Sequence, residues 1–180
     1  MTISFRGLSH DISRLLLIPA GMALISLPVC ILSREWFAIA PMVATALITL
    51  ALSGLLRFLG KKAEQTSLYR AFTSVALGWA LISTVGALPL WLTAIKLGTD
   101  ATPTVEYFRN GLNALFEGFS GFTSAGLTMV IRPSELPVSL QWWRSLMQWV
   151  GGVGVVVLGL ALPVFQSASP VLLYTGPGKP

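Results

Sequence analysis

The sequence predicts an all-α integral membrane protein, with two leading transmembrane helices followed by a repeat of span, short re-entrant helix, loop and span. Only 11% of the 180 residues are charged and 54% are hydrophobic, whereas soluble domains carry about 25% charged residues. Apolar stretches long enough to cross a bilayer recur along the chain. Between two of them, a shorter apolar helix precedes a stretch of glycine, serine and threonine. That order of elements predicts the re-entrant unit.

Four stretches approach the length of about 20 helical residues that crosses the roughly 30 Å hydrocarbon core of a bilayer. They run approximately over Leu15–Leu32, Trp36–Leu56, Ala71–Ile95 and Trp142–Phe165. Prolines fall inside these stretches or near their ends, and membrane helices tolerate such kinks better than soluble helices do. We therefore expect four transmembrane helices.

A fifth apolar element, about Val105–Phe119, is too short to span and is expected to be a re-entrant helix. Its apolar residues recur at helical spacing and form one stripe. The stripe consists of Leu112, Leu115, Phe116 and Phe119. The helix is expected to begin at Pro103 or Thr104 and to end at Gly118 or Gly121.

The distribution of basic residues predicts the orientation. The link between the second and third spans carries four basic residues, Arg57, Lys61, Lys62 and Arg70, against one acid, Glu64. The positive-inside rule places this link in the cytoplasm, together with both chain ends. The re-entrant helix then enters from the external side of a bacterial inner (plasma) membrane. The net charge of +5 forms no basic stripe, so no nucleic-acid partner is expected.

The residues after the short helix, Thr123, Ser124, Ala125 and Gly126, are candidates for an ion-binding segment. A helix aimed inward places about half a negative charge from its C-terminal end near the bilayer centre. Backbone carbonyls that follow such a helix replace the hydration shell of a cation in channel filters. Gly126 can adopt backbone angles that let consecutive carbonyls face one axis. The alternative is an ordinary external loop.

The motifs around this segment resemble a known family. The run from Asn113 to Thr128, NALFEGFSGFTSAGLT, looks like the first pore hairpin of the TrkH/TrkG/KtrB potassium-uptake family. Further matching pieces are Leu136-Pro137, Trp143-Arg144-Ser145-Leu146, Gln148-Trp149 and Gly151-Gly152-Val153-Gly154. The two leading spans match the helical pair that TrkH-type members carry before their first pore repeat. The resemblance covers the chain from about residue 15.

The resemblance implies transport of potassium, with sodium as the alternative, through a selectivity filter with a glycine in each repeat. Plant relatives with serine at the first filter glycine tend towards sodium, so Gly126 favours potassium. A family member builds its pore from four non-identical repeats, whereas this chain holds one, and Ser124 and Ala125 stand where many members have threonines. The family also implies a homodimer of the complete subunit and a cytoplasmic, nucleotide-binding regulatory subunit of the TrkA/KtrA type.

On this interpretation the chain divides into three regions. Residues 1–70 form a two-span region with a basic cytoplasmic link, 71–165 form the pore repeat, and 166–180 form a cytoplasmic tail that resembles the start of a link to a second repeat. We expect further pore repeats to come from additional sequence or from other copies, including a homotetramer. The alternative function is a non-conducting membrane protein, a modifier or a remnant, that associates with full-length subunits.

Three polar or small-residue features near the filter have two interpretations each. For Glu117, a structural hydrogen bond or a partnership with the filter backbone is favoured over a role as direct ion ligand. Arg144 is expected to anchor its span at the interface, with a salt bridge to Glu117 or Glu135 as the alternative. The Gly151-Gly152-x-Gly154 motif is favoured as a close helix contact over a flexible gating point.

Enzyme chemistry finds no support in the sequence. One cysteine and one histidine cannot build a metal site with the usual ligand sets, and no nucleophile–base motif is present. We expect no catalytic residue, no cofactor and no metal other than the transported cation. The remaining expected partner is the lipid bilayer.

Overall fold

The computed structural model describes residues 5–60 and 68–167, and within these ranges all regular secondary structure is helical and no strand occurs. The α-helices are α1 (Phe5–Leu15), α2 (Leu17–Leu32), α3 (Trp36–Leu59), α4 (Leu68–Gly86), α5 (Leu88–Leu97), α6 (Pro103–Glu106), α7 (Gly111–Phe122) and α8 (Val138–Ser167). Short 3₁₀ helices cover Gly98–Asp100, Tyr107–Arg109 and Pro133–Glu135. The predicted cytoplasmic residues Lys61, Lys62 and Glu64, and residues 168–180 of the predicted tail, lie outside the described residues.

Three stretches of the described residues are long and apolar enough to cross a membrane, namely Phe5–Leu32, Trp36–Leu59 and Tyr69–Asp100. They contain the first three predicted spans, so the all-helical architecture and its membrane-type helices are confirmed. The fourth predicted span lies within α8, which has 30 residues and is therefore about 45 Å long. Its crossing of a bilayer stays a prediction.

The first helical stretch begins at Phe5, well before the predicted start at Leu15. Hydropathy misses α1 because this helix is polar, but one of its polar side chains docks it onto the start of α4. Asp11 accepts hydrogen bonds from Nη2 of Arg70 at 2.7 Å and from the hydroxyl of Ser74 at 3.2 Å. Arg70 Nη2 also donates to the carbonyl of Gly7 at 3.2 Å. These bonds join α1 to the beginning of α4.

Two of the long stretches are divided shortly before a proline. α1 gives way to α2 at Leu16, before Pro19, and α4 gives way to α5 at Ala87, before Pro89. Proline has no N–H to donate to the carbonyl four residues earlier, and its ring crowds that carbonyl. The helix pairs nevertheless follow one another with a single residue between them, so each pair forms one long element.

Trp143 of α8 lies at the centre of the core and is fully buried. Its indole Nε1 donates to the carbonyl of Gly86 at 2.8 Å, which ties α8 to the end of α4. Other large, fully buried side chains are Leu16, Met42, Ile82, Leu90, Phe108, Phe122, Leu140 and Met147. Because α7 packs against both α4 and α8, the core holds the short helix between two long ones.

Glu35, in the turn between α2 and α3, makes a contact at the end of the bundle opposite the Asp11–Arg70 pair. Its carboxylate accepts hydrogen bonds from the backbone N–H groups of Val138 at 2.7 Å and Ser139 at 2.8 Å, and so caps the N-terminus of α8. The hydroxyl of Thr102 donates to the carbonyl of Glu135 at 3.0 Å. The two ends of the segment between Thr102 and Glu135, which contains α7, therefore lie close together.

Candidate functional site

The short helix that precedes the candidate segment is α7, and its observed bounds differ from the prediction. It begins at Gly111 rather than Pro103 or Thr104, because Asn110 caps it by accepting a hydrogen bond from the N–H of Leu112 at 3.0 Å. Thr102 caps the separate helix α6 instead. Asparagine is among the preferred N-cap residues, so this start was visible in the sequence.

The helix also ends later than predicted, at Phe122 instead of Gly118 or Gly121. Both glycines lie inside α7, where they allow close contact with neighbouring helices. A Cβ on Gly118 would lie closer than 3.0 Å to the carbonyl oxygen of Ser83 in α4, and one on Gly121 would lie 2.9 Å from Cβ of Met147 in α8. These glycines pack the helix and do not terminate it.

A Schellman motif terminates α7. The N–H of Ala125 donates to the carbonyl of Ser120 and the N–H of Ser124 donates to that of Gly121, both at 3.0 Å. Ser124 has φ +54°, a left-handed conformation that glycine adopts most readily. The residue type gave no signal for this conformation. The motif turns the chain sharply out of the helix at Thr123.

The four predicted ion-binding residues, Thr123, Ser124, Ala125 and Gly126, are contiguous and all exposed. Gly126 has φ +73°, so the expected use of glycine for an unusual backbone conformation is confirmed here. Within the part of the chain that the structure describes, the carbonyl oxygens of these four residues accept no hydrogen bond. The C-terminal end of α7 is thus followed by four exposed residues whose carbonyl oxygens have no donor among the described residues.

Hydrogen bonds hold this segment against α4 and α8. The indole Nε1 of Trp79 donates to the carbonyl of Phe122, and the hydroxyl of Ser124 donates to the carbonyl of Gln148, each at 3.0 Å. The hydroxyl of Ser120 donates to the carbonyl of Leu127 at 2.5 Å. Both ends of the candidate segment are thereby attached to the surrounding helices.

The glycine motif of α8 lies directly behind the segment. A Cβ on Gly151 would come within 2.9 Å of three backbone atoms of Phe122, and one on Gly154 would come within 2.5 Å of the Trp79 ring. A Cβ on Gly152 would meet only the Ser124 hydroxyl, at 3.5 Å. The favoured interpretation, close helix contact, is confirmed for Gly151 and Gly154.

Glu117 is the buried acid of the site, with a side chain only 3% exposed. Its carboxylate accepts hydrogen bonds from the N–H of Met129 at 2.8 Å and from the hydroxyl of Thr128 at 3.0 Å. The expected structural hydrogen bonds of Glu117 are therefore present, and their backbone donor, Met129, lies just after the segment Thr123–Gly126. The expected anchoring of Arg144 at the membrane interface stays a prediction, but its Nε lies 2.6 Å from Oε1 of Glu117. The alternative, a salt bridge, is what the structure contains.

A second acid, Glu135, fastens the chain where the loop returns to α8. The hydroxyl of Thr104 donates to its carboxylate at 2.9 Å, and Nη1 of Arg132 lies 3.0 Å away. The hydrogen bond from Thr104 and the neighbouring Arg132 lower the pKa of the Glu135 carboxyl below its ordinary value. Among the described residues, no group of three His, Cys, Asp or Glu side chains is placed to hold a metal ion.

Comparison with known proteins connects this geometry to a family. The family model described as TrkH, cation transport protein, matches residues 39–172. This chain belongs to the TrkH cation transport family. The matched range begins in α3 and includes α7, the exposed segment and all described residues of α8. The resemblance inferred from the pore hairpin and the glycine motif is thus confirmed.

Individual relatives carry matching descriptions. The chain is 27% identical over 171 residues to the Trk system potassium uptake protein TrkH of Escherichia coli, covering 94% of this chain and 33% of that protein. It is 31% identical over 118 residues to an uncharacterized cation transporter of Methanocaldococcus jannaschii, covering 66% and 22%. It is 32% identical over 106 residues to the potassium uptake protein TrkI of Halomonas elongata, covering 59% and 19%. The chain thus spans a third or less of the length of these relatives.

Proposed function

We propose that this chain takes part in potassium transport across a bacterial inner membrane, as one portion of a Trk-type uptake subunit. Thr123, Ser124, Ala125 and Gly126 form one wall of the selectivity filter. Potassium is favoured because the relatives in Escherichia coli and Halomonas elongata are named potassium uptake proteins. Membership of a cation transport family supports the broader role, and the local geometry supports the assignment to this segment.

The observation that carries the proposal is the exposed segment Thr123–Gly126, whose carbonyl oxygens have no donor among the described residues. A dehydrated cation needs several oxygen ligands, and backbone carbonyls supply them in channel filters. The carbonyls of Thr123–Gly126 lack protein donors among the described residues, so they remain available. They follow the C-terminal end of α7, whose dipole contributes about half a negative charge. Both features favour a cation over an anion at this position.

The contacts at the two ends of the bundle support the proposed topology. Residues 1–70 form the leading pair of spans, 71–165 the pore repeat, and 166–180 a cytoplasmic tail. The Asp11–Arg70 pair joins elements at the proposed cytoplasmic end. Glu35 joins the α2–α3 turn to the start of α8 at the proposed external end. The segment carrying α7 then enters and leaves from the external side.

The segment Thr123–Gly126 supplies only one wall of a selectivity filter, and a complete pore requires further walls. The exposed segment of this chain faces further pore repeats, supplied by additional sequence or by other copies. The complete subunit forms a homodimer in the bilayer and works with a cytoplasmic, nucleotide-binding regulatory subunit of the TrkA/KtrA type. These partners follow from membership of the family, and no nucleic-acid partner or cofactor is proposed.

The test is cation flux through the native assembly that contains this chain, reconstituted in lipid vesicles. Gly126→Asp should abolish or strongly reduce potassium flux, since it places a charged side chain at a left-handed position of the filter. Gly98→Asp is the matched control. Gly98 also has a positive φ, +57°, and open space around it, but it lies outside the segment.

Unchanged potassium flux and selectivity with Gly126→Asp would refute the filter assignment. A wild-type assembly that contains this chain but conducts no cation would instead favour the alternative, a non-conducting modifier that associates with full-length subunits.

A further inference from the structure

Glu117, Arg144 and Thr128 form a closed hydrogen-bonded network behind the candidate filter. Nε of Arg144 donates to Oε1 of Glu117 at 2.6 Å, while Nη2 of the same guanidinium donates to the Thr128 hydroxyl at 2.9 Å. The Thr128 hydroxyl in turn donates to the Glu117 carboxylate at 3.0 Å. The Glu117 side chain is 3% exposed and the Arg144 side chain is 18% exposed, so water screens this pair weakly.

The hydrogen bonds of the Thr128 hydroxyl leave this network little freedom to rearrange. A threonine hydroxyl has one hydrogen to donate and two lone pairs to accept with. The Thr128 hydroxyl uses all three, because it donates to Glu117 and accepts from Arg144 and from the N–H of Val130 at 3.0 Å. Thr128 itself is exposed, but the network closes on the buried carboxylate of Glu117, and a buried polar group whose hydrogen bonds are all made fixes one local structure.

The position of this network in the chain gives it a role. Glu117 lies in α7 before the segment Thr123–Gly126, whereas Thr128 and Met129 follow it. The entrance to the segment is fixed by the Schellman motif and by Trp79. The exit is fixed by the bond from Ser120 to the carbonyl of Leu127 and by the Glu117 network.

The carboxylate of Glu117 is also occupied by donors on both oxygens. Oε1 accepts from Arg144 and Thr128, and Oε2 accepts from the N–H of Met129 at 2.8 Å. A carboxylate paired in this way is compensated in charge by a guanidinium. Its oxygens are engaged by protein donors, which favours a positioning role over direct contact with the passing ion.

We propose that Glu117 and Arg144 are positioning residues that set the discrimination between potassium and sodium without touching either ion. The charge-assisted pair clamps the chain where it leaves the filter, and so maintains the spacing of the carbonyls of Thr123–Gly126. The inference rests on the proposed function of that segment. It assigns the tuning of selectivity to a largely buried ion pair behind the segment.

The experiment measures the ratio of potassium to sodium flux in vesicles that contain the native assembly, normalised to the amount of assembled protein. The variants are Glu117→Gln, Arg144→Gln, the double variant, and the milder Arg144→Lys. Arg132→Gln is the matched control, because Arg132 forms an ion pair with Glu135 in the same loop but is 71% exposed. Wild type and Gly126→Asp are measured alongside.

Each single glutamine variant should lower the flux ratio roughly tenfold, the order of effect expected for the loss of one hydrogen bond to a charged group. The double variant should lower it by less than the product of the two single effects, because the residues act as a pair. Arg144→Lys should give an intermediate ratio, since it keeps the charge but loses the forked contact. Arg132→Gln should leave the ratio unchanged. If the glutamine variants do not assemble, Arg144→Lys alone carries the test.

Ratios within twofold of wild type for the assembled variants would overturn the clamp, as would an equal loss with Arg132→Gln. Multiplicative single effects in the double variant would also overturn it. These failures differ from a failure of the proposed function. A selective wild type that is inactivated by Gly126→Asp but insensitive at Glu117 and Arg144 overturns only the clamp, whereas absent wild-type flux overturns both.

Discussion

The contact between α8 and the end of α7 gives a prediction that can be worked out from distances. In Gly151→Ala, the new Cβ would lie 2.7 Å from the carbonyl carbon and 2.9 Å from Cα of Phe122, with the carbonyl oxygen closer still. Favourable contact between carbon atoms requires about 3.5–4.0 Å. The two helices would have to separate by roughly 1 Å, because the opposing atoms belong to the backbone and cannot rotate away.

The neighbouring glycine supplies the control. In Gly152→Ala, the new Cβ would meet only the Ser124 hydroxyl, at 3.5 Å, which is ordinary contact. Both substitutions lie within α8 and gain the same helix propensity, about 1 kcal/mol for alanine over glycine. The difference between them therefore isolates the clash, and overpacking of this kind costs about 1–3 kcal/mol. Gly151→Ala should be less stable than Gly152→Ala by that amount.

The assay is reversible unfolding of the purified chain in mixed micelles, followed by tryptophan fluorescence. Trp79 donates to the same Phe122 carbonyl, so its emission should report the separation of the helices. Equal stabilities for the two variants, or a less stable Gly152→Ala, would refute the packing account of this motif. That result would favour the alternative interpretation, a flexible point in α8.

Two further predictions concern the end of the bundle that holds Glu35 and Glu135. Glu35→Gln should destabilise the protein by about 1 kcal/mol, the usual value of a helix cap, because an amide has only one acceptor oxygen for the N–H groups of Val138 and Ser139. The same unfolding assay measures the loss, and an unchanged stability would contradict the capping role. The hydrogen bond from Thr104 lowers the pKa of the Glu135 carboxyl below its ordinary value of about 4.5. The contribution of this carboxylate to stability should therefore be present above that pH and be lost as the pH falls through the lower pKa of the folded state. An identical pH profile of stability for Glu135→Gln would count against this.

The sequence predicted the apolar helices well, because hydropathy reports side chains that face lipid or the core. Trp36 is the start of α3 in both the prediction and the structure. The polar helix α1 was missed, since its residue Asp11 is satisfied by Arg70 from a distant part of the chain. Composition averaged over a window cannot detect such a pair.

The sequence predicted only part of the candidate site, because some of its features depend on contacts between residues far apart in the chain. The location of the segment follows from local features, a short apolar helix and a glycine at Gly126. The left-handed Ser124 and the salt bridge between Glu117 and Arg144 depend on how α7 and α8 meet. Glu117 and Arg144 are 27 positions apart in the chain, so no local pattern specifies their contact.

The most direct test of the account asks whether the exposed segment lines the cation pathway. Ala125→Cys in the native assembly provides a reactive probe there, because the single cysteine of this chain, Cys30, is fully buried. Leu112→Cys is the control, at a side chain that is 73% exposed near the start of α7. A thiol reagent should block potassium flux through Ala125→Cys, more slowly in potassium than in an equal concentration of a large organic cation, and it should leave Leu112→Cys conducting. Modification of Ala125→Cys without any change in flux would contradict the account.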